Sequence, residues 1–176
     1  MKDFIIIGSL GSVTQIGFFP LLKEGLVSLG TEKPRGFDNT DKVMLFSRWF
    51  TTLSSESKKT LVPTATYSPE KYPKYDNYEA IEVGRLSDIP TDYYGVMGVP
   101  VSIFDKCYSE QFDIVGCADA NVVPEEWKGM SREFVNLYFS QGNNGHYNEG
   151  NPLCHYILNG KAVVPYKRIL IKRKEI

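Results

Sequence analysis

The chain opens on an unbroken apolar run, Phe4-Ile5-Ile6-Ile7, that stops at Gly8, the pattern of a strand buried on both faces. Across residues 13–24, Ile16, Phe19, Leu21 and Leu22 recur at loose helical spacing while Gly17 and Pro20 weaken the middle, which predicts a bent or late-starting helix. Residues 26–29 follow as a strand closed by Gly30, and a strand, helix, strand order predicts a parallel α/β unit. Residues 31–41 are polar and hold Pro34 and Gly36, a loop signature, and residues 43–53 supply the next strand.

The second part alternates differently. Residues 63–78 carry three prolines and four tyrosines with no period, which predicts an extended surface strap. Ile81-Glu82-Val83, residues 96–104 and residues 112–115 read as strands. Residues 118–152 scatter four glycines among Asn, Ser and Glu, with room for one short helix over 124–138, and predict a recognition-loop region. Asn159-Gly160 between apolar runs 154–158 and 162–164 predicts a hairpin, because these residues supply the two positive φ angles of a type I′ turn. Residues 166–171 form a last strand. The expected fold is α/β, a mixed sheet with few helices, in one domain over 1–176: a partial α/β sheet over 1–53 and a β-rich, loop-rich recognition part over 54–176.

Composition narrows the function classes. With 20 Lys+Arg against 21 Asp+Glu the formal charge is -1, so no global field attracts phosphate and any nucleic-acid contact must come from a local patch. No apolar run reaches the roughly 20 residues that a membrane span needs. The odd set Cys107, Cys117 and Cys154, with no leader pattern, predicts reduced thiols and a cytoplasmic location.

Two local patches combine charge with chemistry that suits nucleic acid or a partner protein. Arg48-Trp49 with Lys58 and Lys59 joins basic and aromatic groups at a strand end. Lys167-Arg168 with Lys172-Arg173-Lys174 puts five basic residues in eight positions. Alternation there predicts a basic strand face with Ile169 and Ile171 packed inward, although an edge strand guarded by lysines has the same pattern. Gly8-Ser9-Leu10-Gly11-Ser12 sits where a phosphate-binding turn would, but has neither dinucleotide nor Walker spacing, so a tight turn is expected. His146, His155 and the cysteines offer no C-x₂-C or H-x₃₋₅-H pair, so no metal is expected. Asn151-Pro152-Leu153-Cys154 is similar to the Asn-Pro-Pro-aromatic loop of adenine methyltransferases but lacks the second proline and the stacking ring, so no catalytic role is expected.

Seven stretches together resemble one family. They are Phe4-Ile5-Ile6-Ile7-Gly8, Phe19-Pro20-Leu21-Leu22-Lys23-Glu24, Trp49-Phe50-Thr51-Thr52-Leu53, residues 72–83, residues 95–101, residues 110–116, and Asn159-Gly160-Lys161 with residues 166–171. In this order they resemble the EcoRI-type adenine-specific DNA methyltransferases. The resemblance implies the C-terminal part of a methyltransferase (Rossmann-like) fold. The half with the S-adenosylmethionine strands and the Asn-Pro-Pro-Phe loop would lie upstream of residue 4. No catalytic residue and no cofactor site is therefore carried over. The parts expected to contact DNA fall around residues 49–59 and after residue 67.

Three functional expectations follow. The first is a non-catalytic, methyltransferase-derived module that binds nucleic acid or a nuclease, such as a CRISPR effector or restriction enzyme, in a phage or mobile-element anti-defence role. The alternative is the C-terminal, target-recognition half of a split N6-adenine DNA methyltransferase, with an N-terminal half as partner. The third is a metal-dependent nuclease using Asp105, Glu110 and Asp113. Pairing of two copies through an exposed first strand is a further expectation.

Overall fold

The computed structural model describes residues 3–30, 47–53, 59–118 and 123–174. In chain order its elements are β1 (Ile5–Ser9), α1 (Phe19–Lys23), β2 (Ser28–Leu29), β3 (Ser47–Thr51), β4 (Lys59–Thr60), β5 (Ala80–Glu82), β6 (Val96–Pro100), β7 (Lys106–Cys107), β8 (Phe112–Cys117), α2 (Arg132–Ser140), β9 (Tyr156–Leu158), β10 (Lys161–Val163) and β11 (Arg168–Arg173). The architecture is mixed α/β and mostly sheet, as expected of a partial methyltransferase-like fold. The predicted loop 31–41, the start of the 43–53 strand and Lys58 lie outside the described residues.

Strand, helix and strand occur in the predicted order, but β1 and β2 do not pair with each other. The later strand β3 enters between them and runs antiparallel to both, giving the order β1-β3-β2. β1 and β2 still point the same way, so the helical crossover is retained while the expected parallel ladder is not. The helix starts late because the ring of Pro20 fits only a first turn. It stops at Gly25, whose φ of 71° allows Gly25 N to donate to Leu22 O and Leu26 N to Leu21 O in a Schellman closure. That closure consumes residues 26 and 27 and shortens the predicted strand to Ser28–Leu29.

The second sheet has the order β5-β6-β11-β8, with β5 parallel to β6 and β11 antiparallel to both of its neighbours. The edge-strand reading of residues 166–174 is thereby corrected, since β11 is an interior strand. Ile169 and Ile171 do pack inward. They join one core with Phe19, Leu22, Phe50, Ile81 and Met97, which spans both sheets. On the opposite face, Leu170 lies against Tyr75, Ala80 and Cys154. The basic face of β11 is thus covered at Arg168, whereas Lys172 on the same face is exposed.

Tyr75 does the covering, while Tyr72 packs into the core on the Ile169 side. The strap is extended, with bridges at Ala65–Pro90 and Lys74–Ile81, but it is not merely superficial. Tyr72 donates to Asp88 O at 2.7 Å and Tyr75 donates to the Glu82 carboxylate, and these bonds allow both hydroxyls to be buried.

Strand β6 ends at Pro100, which has no N–H to continue a ladder, and the chain enters a 3₁₀ turn at Val101–Asp105. Helix α2 begins eight residues later than predicted. Met130 is held by backbone bonds to Gly150 and Asn151, which fixes it outside a helix, and Ser131 Oγ caps the first turn by accepting from Phe134 N at 3.1 Å. The hairpin β9–β10 forms with Asn159 at φ 51° and Gly160 at φ 76°, as the type I′ turn requires. No helix among the described residues is long and apolar enough to cross a membrane.

Candidate nucleic-acid interface and the open sheet edge

Strand β1 was expected to be buried on both faces, and it is not. Ile5 is 58% exposed and Ile6 49% exposed. One edge of β1 pairs with β3, and no strand among the described residues pairs with the other. Isoleucines on an edge strand that lacks a neighbour form an apolar surface ready for further pairing.

At the carboxyl end of β1 the Gly8-to-Ser12 stretch closes on itself. Gly11 N donates to Ser9 Oγ and Gln15 N donates to Ser12 O, forming a 3₁₀ turn over Leu10–Thr14. These internal bonds use backbone donors that an anionic ligand would need.

The two basic patches reach different environments. Arg48 is buried, with Nη2 3.8 Å from Asp105 and Nη1 donating to Ser47 O. Trp49 is half-buried on β3, beside Ile7 in the register. Lys59 pairs through its backbone with Lys106 across β4 and β7. Lys167 Nζ donates to Thr14 Oγ1 at 2.7 Å, joining the C-terminal segment to the turn after β1. Arg168 is locked onto Glu82. Arg173 lies 4.9 Å over the Phe112 ring and donates to Pro90 O. Lys172 is exposed, and Lys174 forms a solvent-exposed pair with Asp113 at 3.5 Å.

The nuclease residues do not converge. Asp105 faces Arg48 and Asp113 faces Lys174, and no group of three His, Cys, Asp or Glu side chains suited to a metal occurs among the described residues. Cys154 and His155 are both buried but belong to different clusters: Cys154 lies with Tyr75 and Leu170, whereas the His155 ring centre is 4.3 Å from that of Phe134.

The Asn-Pro resemblance at residues 151–152 has a clear structural account. Asn151 Oδ1 accepts from Leu153 N at 3.1 Å, and Pro152 O accepts from Trp127 Nε1 at 2.7 Å. Both acceptors that would hold an adenine amino group in a catalytic loop are engaged within the fold.

Sequence reasoning missed an open cleft of about 450 Å³ lined by residues 75–79, Glu126 and Lys128. Tyr78 and Trp127 pack at its side with ring centres 5.0 Å apart. Asp76, Glu79 and Glu126 make its lining acidic, and burial raises the Asp76 carboxyl above its ordinary value. No periodicity brings residues 75–79 next to Glu126, so sequence spacing carried no signal for this cleft.

Comparison with known proteins identifies the lineage. The family model described as adenine-specific methyltransferase EcoRI matches residues 34–174. The chain is 30% identical to the type II methyltransferase M.EcoRI of Escherichia coli, over 99% of this chain and 51% of that protein. The chain belongs to the EcoRI-type adenine-specific methyltransferase family. It is also 28% identical to M.MpnI of Mycoplasma pneumoniae over 66% of this chain and 44% of the relative, and 33% identical to M.MgeORF184P of Mycoplasma genitalium over 73% and 36%. The chain thus spans about half or less of the length of the methyltransferases it matches. No solved structure matches it significantly.

Proposed function

We propose that this chain serves as the C-terminal, target-recognition half of an N6-adenine DNA methyltransferase, completed across β1 by a half that carries S-adenosylmethionine and the Asn-Pro-Pro-Phe loop. The observation that carries the reading is the edge of β1 that no strand among the described residues pairs with, on a strand whose Ile5 and Ile6 are exposed. Family membership supports it, as does a match that covers 99% of this chain but 51% of M.EcoRI. The sequence reading placed an anti-defence inhibitor of a nuclease first. Relatives that are themselves named methyltransferases favour the alternative, and none of the three named here is an inhibitor.

The test is reconstitution. The chain is co-expressed with a cofactor half taken from a family member, and transfer of labelled methyl groups to double-stranded DNA is measured. Methyl transfer by the purified pair, absent from either half, is the expected result. A pair that neither co-purifies nor methylates DNA overturns the reading.

A further inference from the structure

We propose that Asn144 is a site of spontaneous covalent modification, at which the backbone nitrogen of Gly145 closes on the Asn144 side chain and converts it to isoaspartate and aspartate. The chain contains two Asn-Gly pairs, Asn144-Gly145 and Asn159-Gly160, and the fold treats them differently. The proposal is independent of the role as a target-recognition half.

The reaction needs only solvent. Gly145 N gives its proton to solvent base and bonds to Asn144 Cγ; the Cγ–Nδ2 bond breaks, and Nδ2 takes a proton from water and leaves as ammonia. One water then opens the succinimide ring. Cleavage of its Cγ–N bond gives aspartate, whereas cleavage of the backbone C–N bond gives isoaspartate, in which the chain runs through Cβ and Cγ. A glycine after the asparagine leaves the attacking nitrogen uncrowded.

Asn144 and Gly145 are exposed in a segment outside any helix or strand. Among the described residues, neither Gly145 N nor the Asn144 side chain makes a hydrogen bond, and the Asn144 backbone is fastened by one long bond, in which Tyr138 Oη donates to Asn144 O at 3.3 Å. Turning this peptide toward its own side chain therefore breaks no ladder. Packing accounts for the glycine. A Cβ at position 145 would lie 2.8 Å from Tyr147 Cε2, so the approach of that ring excludes a side chain.

Asn159 and Gly160 are exposed as well, so exposure is not what separates the two pairs. Asn159 at φ 51° and Gly160 at φ 76° form the type I′ turn of the β9–β10 hairpin. That conformation puts Gly160 N on the far side of the Asn159 Cα–C bond from the side chain, and the five-membered ring cannot close until the turn opens. Gln141 holds the turn shut: its Nε2 donates to Gly160 O at 2.8 Å and its Oε1 accepts from Ala162 N at 3.0 Å. Local unfolding thus precedes reaction at Asn159 and not at Asn144.

Conversion adds a negative charge, and in the isoaspartate form a methylene, to the backbone segment between α2 and Asn151. Both changes fall beside the Tyr138–Tyr147 contact, whose ring centres are 5.1 Å apart.

The full chain is held folded in mildly alkaline buffer and sampled over days, and fragment-ion mass spectrometry assigns the loss of amide to position 144 or 159 and distinguishes isoaspartate from aspartate. Mixed isoaspartate and aspartate at position 144 are expected, forming at least about 10-fold faster than any product at 159. In urea the two rates should converge. Asn144→Gln should abolish the fast conversion, because the longer side chain closes a larger ring less readily, and should leave the circular dichroism unchanged at this exposed position. No conversion at 144 in the folded chain, equal rates at 144 and 159, or aspartate formed without isoaspartate overturns the proposal.

Discussion

Arg168 donates to both carboxylate oxygens of Glu82, through Nη2 at 2.7 Å and Nε at 3.0 and 3.1 Å, and reaches from β11 across β6 to β5. The side chains are 11% and 7% exposed, and Tyr75 donates a further hydrogen bond to the same carboxylate. The intervening strand contributes Gly98, where a Cβ would collide with the Tyr75 ring, so the three polar groups share a space that only a glycine leaves open. The network joins β5, β11 and the strap across β6 in one buried, nearly satisfied cluster.

Removing one partner strands a buried charge. Arg168→Ala is expected to destabilise the chain by about 3–5 kcal/mol in urea titration, because Glu82 is left without its counter-ion. Tyr75→Phe deletes one bond to a charged acceptor and should cost less, about 1.5–3 kcal/mol. A double replacement of Arg168 and Glu82 by Met and Leu should cost less than Arg168→Ala. If the double replacement is the worse of the two, the pair contributes net stability beyond mutual compensation.

His155 gives the fold a pH dependence. Burial depresses its pKa, outweighing the pull of Leu153 O and Asp76 toward the charged form. The unfolded imidazole titrates near about 6.5, so the unfolded chain takes up this proton first as pH falls. Stability is therefore full above that pH and declines as pH drops through the lowered folded value. Asp76 acts with the opposite sign at lower pH, since burial raises its carboxyl and favours the protonated form in the fold. Urea midpoints measured between pH 7 and 5 should fall for the parent chain, and the slope should flatten in His155→Gln. An unchanged slope assigns the dependence to other groups.

The β9–β10 hairpin depends on its turn. Gly160 sits at φ 76°, where any side chain is strained, so Gly160→Ala should cost about 1 kcal/mol by thermal or urea unfolding. Asn159→Ala should cost a similar amount at φ 51° for the same reason, whereas Asn159→Gly should be nearly neutral.

What the sequence made legible was local. Asn159-Gly160 announced its turn because two adjacent residues decide the geometry, and Pro20 announced a late helix start for the same reason. The inward packing of Ile169 and Ile171 followed from period-two alternation alone. Strand order was not legible, because the insertion of β3 between β1 and β2 depends on contacts between residues 5–9, 28–29 and 47–51 that no window contains. The fate of the cations was hidden likewise. Arg168 and Lys172 share a face by alternation, yet the strap and Glu82 enclose one while the other stays in solvent. The exposure of Ile5 and Ile6 ran against their apolar pattern, and that mismatch is the part of the candidate site with the clearest functional meaning.

The open edge supplies the last prediction. Lysine on an edge strand discourages pairing, and Ile5 and Ile6 are exposed enough that replacing them removes little buried surface. The double variant Ile5→Lys with Ile6→Lys should therefore stay within about 1 kcal/mol of the parent in stability, taking roughly 0.5 kcal/mol for each surface change. Ile157→Lys, on the distant hairpin, controls for a general effect of added charge, since Ile157 is 48% exposed. Co-purification with a cofactor half should be lost in the double variant and retained in the control. Light scattering on the isolated chain distinguishes the competing occupant: a parent that is dimeric and a double variant that is monomeric would assign the edge to a second copy of this chain. If both variants bind the cofactor half as the parent does, β1 is not the joining strand, and the half-enzyme reading loses the observation on which it rests.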